Sequence, residues 1–164
     1  MTQKDLLEGK RILIVDDEPD VLETLEEFLS MCDVTKATTF EQANNLLETR
    51  DFDIAILDIM GVKGYKLLEV ANKRNIIAVM LTAHALSPDS IVKSYKQGAA
   101  YFVPKEEMSR ITEFLNDILN AKRKGQNTWL NWLEMLTDAY WEKRFGPDWK
   151  NKDKTFWENF PDHD

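Results

Sequence analysis

Arg11-Ile-Leu-Ile-Val-Asp-Asp-Glu18 is the stretch that decides the fold: an apolar run of strand length that stops abruptly in carboxylates. Three further segments end in the same way. Phe52-Asp-Ile-Ala-Ile-Leu57 runs into Asp58, Ile76-Ile-Ala-Val-Met-Leu81 into Thr82, and Tyr101-Phe-Val-Pro104 into Lys105. Continuous apolar runs of this length suit strands covered on both faces by helices. In open parallel sheets, ligands gather outside the carboxyl ends of the strands, where strand order reverses. Acids, a hydroxyl and a cation collected at one such edge suit a divalent metal together with a phosphoryl group.

Outward from these runs, strands are expected at about 11–15, 33–37, 53–57, 76–81 and 100–103. Helical patterns lie between them. Pro19 opens one with Val21, Leu22, Leu25, Phe28 and Leu29 at helical spacing, and Thr39 caps the next, with Phe40, Ala43, Leu46 and Leu47 inward. A short third helix is expected from about Tyr65 to Arg74. Ser87-Pro88-Asp89 opens a fourth that Gly98 ends, and a fifth covers about 107–121. Strict alternation of strand and helix implies a parallel sheet with right-handed crossovers. The expected fold is therefore α/β, a flavodoxin-like (βα)5 doubly wound sheet of strand order 2-1-3-4-5, plus a short helical C-terminal extension.

The chain changes character near Lys122-Arg-Lys-Gly125. Residues 1–121 hold 13 basic and 21 acidic side chains and carry the whole net charge of −8, whereas 122–164 hold eight of each. All five tryptophans, 129, 132, 141, 149 and 157, lie in the second part. The division is thus 1–121, the α/β domain, and 122–164, a linker with a Trp-rich helical extension. Within the extension, Asn127 or Thr128 is placed to cap one helix bearing Trp129, Trp132, Leu133, Leu136 and Tyr140, which Gly146-Pro147 would stop. Its aromatic stripe has three readings: packing back onto the domain, self-association, or docking of another protein.

The acidic balance argues against nucleic-acid binding, and the neutral extension lacks the positive charge of a DNA-binding output. No apolar run approaches the ~18 residues of a membrane helix, and the polar start is unlike a signal peptide. With the single Cys32, which leaves no internal disulfide, these features point to the cytoplasm.

Asp16, Asp17 and Asp58 offer the oxygen-rich donors that Mg²⁺ favours, with water and phosphate completing the shell. A carboxylate so placed also serves as a nucleophile, giving an aspartyl phosphate. Phosphoryl transfer needs in-line positioning and cations on the equatorial oxygens, which Lys105 and a metal would supply, with Thr82 donating to a third oxygen. Taken singly, the residues have plainer readings: Asp16-Asp17 as a helix cap, Thr82 as a turn residue, Lys105 as a surface charge. His84 reads as a loop-rim residue, His163 as a chain-end residue and Cys32 as packing.

Val15-Asp-Asp-Glu18, Leu57-Asp58-Ile-Met60, Met80-Leu-Thr-Ala-His84 and Gly98-Ala-Ala-Tyr-Phe-Val-Pro-Lys105, in this order and context, resemble the receiver (CheY-like) domain of bacterial two-component response regulators. The resemblance covers about residues 10–121. It implies a phosphorelay protein, not an enzyme acting on other substrates, that takes a phosphoryl group on Asp58 from a sensor histidine kinase or a histidine phosphotransfer protein. It also implies Mg²⁺ held by Asp16, Asp17, Asp58 and the Met60 backbone carbonyl. Thr82 and Lys105 would read the phosphoryl group. Phe102 would be the aromatic that turns inward as Thr82 moves, with Tyr101 second for that role, altering the face made by the fourth helix, fifth strand and fifth helix. Output would be protein–protein, through that face or the Trp-rich tail.

Three departures from the family pattern stand out. The loop Met60-Gly-Val-Lys-Gly64 is short and lacks the usual proline, the third helix is short, and Glu106 follows Lys105 where a proline is usual. A cis bond there would cost roughly 2.5–4 kcal/mol without proline, so it is not expected. Two other functions remain open: a metal-dependent phosphatase or phosphotransferase using the same aspartate, and a degenerate receiver serving as a scaffold. Against the first, Met60 stands where such enzymes place a second acid.

Overall fold

The computed structural model describes residues 5–83 and 87–161; His84 and His163 lie outside them. Five parallel strands, β1 (Arg11–Val15), β2 (Asp33–Ala37), β3 (Ile54–Asp58), β4 (Ile77–Thr82) and β5 (Tyr101–Pro104), pair in the order β2-β1-β3-β4-β5. Helices α1 (Pro19–Phe28), α2 (Phe40–Thr49), α3 (Gly64–Lys73), α4 (Pro88–Lys96) and α5 (Ile111–Arg123) connect and cover them. This is the expected doubly wound sheet. β3 is buried along its whole length, as its unbroken apolar run requires. It begins one residue later than expected because Asp53 is spent at the entrance, where its carboxylate accepts the Arg11 N–H at 2.8 Å.

Local chemistry explains the helix boundaries. Thr39 Oγ1 accepts the Gln42 N–H at 3.2 Å and caps α2 as expected. Ser87 occupies the cap position of α4, but its side chain makes no cap bond; its backbone carbonyl accepts the Ser90 N–H instead. Gly98, at φ +89°, ends α4. The fifth helix starts later than expected, because Lys105–Arg110 form a 3-10 segment in which Glu107 departs from helical geometry. Cys32 is half-buried and its thiol donates to the Leu7 carbonyl at 3.3 Å, a packing role.

The extension folds onto the domain, though not as one helix. It forms α6 (Trp132–Met135), α7 (Asp138–Phe145) and α8 (Lys154–Glu158). Thr137 breaks the expected single helix: its hydroxyl accepts the Tyr140 N–H and begins a new one. Neither expected cap acts as one for a long helix. Asn127 Oδ1 accepts the Trp129 N–H in a turn, while Thr128 Oγ1 donates to the Ala100 carbonyl at 2.8 Å. Gly146, at φ +92°, ends α7 as expected.

All five tryptophans are buried in a core continuous with that of the domain. Trp129 Nε1 donates to the Ala99 carbonyl and Trp132 Nε1 to the Phe102 carbonyl. Tyr95 of α4 meets Trp129, Phe156 and Phe160 at ring distances of 5.1–5.3 Å. Trp129 and Trp132 thus bury a large apolar body while the indole N–H finds an acceptor. The extension lies over α4, β5 and the start of α5, so every residue of β5 is buried.

Candidate functional site

The carboxyl ends of β1, β3 and β4, with the start of the 3-10 segment after β5, bring Asp16, Asp58, Thr82 and Lys105 to one edge. The register sets Asp58 beside Leu81, and Thr82 beside Pro104, so each polar group arrives as its strand runs out. Asp16 is fully buried, Asp58 4% exposed and Thr82 3% exposed. Asp17 and Glu18 are exposed on the rim, and carboxylate oxygens of Asp16, Asp17 and Glu18 lie within 4.8 Å of one another.

Lys105 holds this cluster together. Its ammonium lies 2.9 Å from Asp16 Oδ2, 3.3 Å from Glu18 Oε1 and 3.4 Å from Asp58 Oδ1. Asp16 Oδ1 accepts the Glu18 N–H at 2.9 Å. Asp16 Oδ2 is buried and, apart from that ammonium, has no polar partner among the described residues. Burial and mutual charge shift the protonation of Asp16, Asp58 and Lys105. Burial, then the Asp16 charge, pushes the Asp58 carboxyl up to about 6, against the pull of Lys105. Burial also raises Asp16, opposed by the Glu18 N–H and Lys105. Desolvation works to lower Lys105, but the hydrogen bond and charge of Asp16, with Asp58 and Glu18, outweigh it and hold the ammonium above its usual range.

These groups fit a divalent cation. A deeply buried carboxylate oxygen and clustered acids that share the single Lys105 ammonium among the described residues favour an added positive ion with oxygen ligands. Two glycines shape the loop that closes over them. A Cβ on Gly61, at φ +29°, would lie 2.5 Å from Asp17 Oδ2, and one on Gly64 would lie 2.2 Å from the Asp58 carbonyl oxygen. The shortened loop therefore passes closer to the acids than any other residue type at these positions allows. The Met60 carbonyl accepts the N–H groups of Val62 and Lys63 in this turn, while the Met60 side chain is exposed.

Thr82 Oγ1 donates to the Ala83 carbonyl at 3.1 Å. The two aromatic candidates point to different neighbours. The Tyr101 hydroxyl donates to Asp117 Oδ2 at 3.0 Å and lies 3.2 Å from Met135 Sδ; burial and the Asp117 charge raise it well above the usual phenol range. Phe102 lies under the Trp141 ring, with centroids 6.1 Å apart. Sequence reasoning did not reach the role of Glu106: it accepts from the Tyr140 hydroxyl and pairs with Arg144. The only signal was its departure from the family's proline.

The architecture and its edge of acids, hydroxyl and lysine define a doubly wound α/β protein with a cation- and phosphoryl-compatible site. Residues 12–116 match the response regulator receiver domain, and the chain belongs to that family, as the receiver domain of a two-component response regulator. It is 36% identical over 103 residues to the Arabidopsis thaliana two-component response regulator ARR18, covering 59% of this chain and 16% of that protein. With ARR10 of the same plant it shares 32% over 126 residues, 72% of this chain and 22% of that protein. The response regulator GtcR of Aneurinibacillus migulanus is 34% identical over 102 residues, 59% of this chain and 42% of its own length. The chain spans less than half the length of these relatives. Among solved structures, a CheY-like receiver domain protein from Methanospirillum hungatei JF-1 superposes with a TM-score of 0.64 at 27% identity, over 71% of this chain and 98% of its own. No helix among the described residues is long and apolar enough to cross a membrane.

Proposed function

We propose that residues 1–121 accept a phosphoryl group on Asp58 from a sensor histidine kinase or a histidine phosphotransfer protein, and that the chain signals by changing a protein-contacting surface. The observation that carries this reading is the Lys105 ammonium set between the buried Asp16 and Asp58 carboxylates, at the strand ends where Thr82 also emerges. A carboxylate oxygen of Asp58 attacks phosphorus as the phosphorus–nitrogen bond of the donor's phosphohistidine breaks, and the departing imidazole takes up a proton. Asp16, Asp17 and Asp58 would hold Mg²⁺, which when bound supplies positive charge to the phosphoryl oxygens. The Met60 carbonyl is a further donor at the cost of the turn bonds it accepts. Lys105 turns from its three carboxylates toward the new dianion, and Thr82 exchanges the Ala83 carbonyl for a phosphoryl oxygen. Movement of Thr82 gives Phe102 room to turn inward, a local charge biasing a two-state element. Tyr101, tied to Asp117, is the poorer candidate for that motion.

Incubation with acetyl phosphate and Mg²⁺, followed by intact mass, tests the assignment. One added phosphoryl group, dependent on metal and absent from Asp58→Asn, is expected. No adduct, together with no tight binding of beryllofluoride, would overturn it in favour of a scaffold. Steady turnover of small phosphate esters would point instead to a phosphatase.

A further inference from the structure

Two residues at the phosphoryl-reading end of β5 are gripped by one helix that lies outside the family segment. Phe102 is 1% exposed beneath Trp141 of α7, and Trp141 stacks at 22° on Trp132, whose indole N–H donates to the Phe102 carbonyl at 2.9 Å. Glu106, the chain neighbour of Lys105, receives the Tyr140 hydroxyl and the Arg144 guanidinium, both from α7. Arg144 NH1 also donates to the Tyr140 hydroxyl at 3.0 Å, closing a three-membered network. The Arg144 side chain is 13% exposed and the Glu106 side chain 50%, so the pair sits at the edge of the interface, and its geometry rests on the Tyr140 hydroxyl that both partners share. A proline at position 106 could offer no carboxylate to it.

We propose that α7 is the element that reads the switch in this chain: it is clamped to Phe102 and Glu106 while Asp58 is a free carboxylate, and phosphorylation of Asp58 releases it from the face formed by α4, β5 and α5. The inference rests on the phosphoacceptor reading of Asp58. Its physical route has two arms. Lys105 is shared by Asp16, Glu18 and Asp58, and a dianion on Asp58 recentres it, carrying the adjoining Glu106 backbone out of register with Tyr140 and Arg144. Inward rotation of Phe102 removes one of the rings packed against Trp141, which otherwise stacks on Trp132 and Phe145, and leaves a void that close-packed interiors do not tolerate. Both losses fall on one helix of eight residues, whose own sequence is too short to hold it in place alone.

Hydrogen exchange of the full chain, with intact mass run on the same samples, tests this. With beryllofluoride and Mg²⁺, or after acetyl phosphate labelling, exchange across 138–145 is expected to quicken about tenfold, as for ordinary coupled sites, while α2 is unchanged. Glu106→Gln, which keeps the size and removes the charge, is expected to quicken exchange across α7 before any labelling and to leave labelling of Asp58 intact. A labelled protein in which 138–145 exchanges at the unlabelled rate, or more slowly, would overturn the inference and leave the phosphoacceptor reading standing. Unaltered α7 exchange in unlabelled Glu106→Gln would overturn the clamp. Absence of both adduct and beryllofluoride binding would remove the reading beneath it, and the inference with it.

Discussion

Replacing Asp58 by asparagine should stabilise the metal-free protein, and by an amount that depends on pH. The Asp58 carboxyl is 4% exposed and is shifted from the ordinary 3.8 to about 6 by burial and the Asp16 charge. Between those two values the folded protein keeps a proton that the unfolded chain has released, so stability falls as pH rises through that window. At roughly 1.4 kcal/mol per pKa unit, ionising Asp58 in the folded state costs about 3 kcal/mol once the pH is well above 6. Asparagine keeps the shape and removes the charge, and Lys105 retains Asp16 and Glu18 as partners. In a chelator, Asp58→Asn should therefore exceed the parent by about 3 kcal/mol at pH 8, about half that at pH 5 and little at pH 4. For a chain of this size the pH 8 difference is about 6–12 °C in Tm. Urea unfolding at the three pH values, followed by tryptophan fluorescence and by circular dichroism, measures it. An equal difference at pH 4 and pH 8, or a mutant less stable than the parent at pH 8, would refute the account of the acidic cluster.

Three other substitutions probe different parts of the molecule. Mg²⁺ at about 100 times its Kd should raise the parent's stability by about 2.7 kcal/mol, and Asp17→Asn should lose most of that gain; an undiminished metal effect would remove Asp17 from the ligand set. Gly64→Ala places a methyl group 2.2 Å from the Asp58 carbonyl oxygen, where backbone meets backbone, so a loss of about 1–3 kcal/mol is expected; unchanged denaturation would show that the loop has slack. Trp132→Ala removes a fully buried indole and its bond to the Phe102 carbonyl, for an expected loss of about 3–5 kcal/mol by chemical unfolding. A change below about 0.5 kcal/mol there would mean that the extension does not pack on the domain in solution.

Much of the α/β architecture was legible because its signals are local. Ile12, Leu13, Ile14 and Val15, or Ile54 through Leu57, are buried on both faces and therefore read as unbroken apolar runs. The site was legible for the same reason: Asp16, Asp58, Thr82 and Lys105 sit at chain positions where such runs stop, so their gathering follows from topology. The extension was less so. Trp129, Trp132, Leu136 and Tyr140 have helical spacing whether or not Thr137 interrupts the helix, and a hydroxyl that caps leaves no mark on apolar periodicity. An aromatic stripe also does not say which surface it covers. That it lies on Tyr95, Ala99 and Phe102 depends on long-range contacts, as does the pairing of Glu106 with Arg144. The Met60 carbonyl is a similar case: its two N–H partners arise from the compact turn that Gly61 and Gly64 permit.

The two outermost strands of the sheet are treated unequally. β2 is at least partly exposed everywhere but Ala37 and carries Asp33 and Lys36, charges that deter another chain from adding a strand alongside it. β5 is apolar throughout, Tyr-Phe-Val-Pro, with no charge to refuse a neighbour. Its protection against edge-to-edge pairing is the folded-back extension. A fragment ending near residue 123 would bare that strand together with the aromatic rings of Tyr95 and Phe102, a combination prone to self-association and aggregation. The edge of the sheet nearest Lys105 is thus covered by residues that lie outside the receiver segment 12–116.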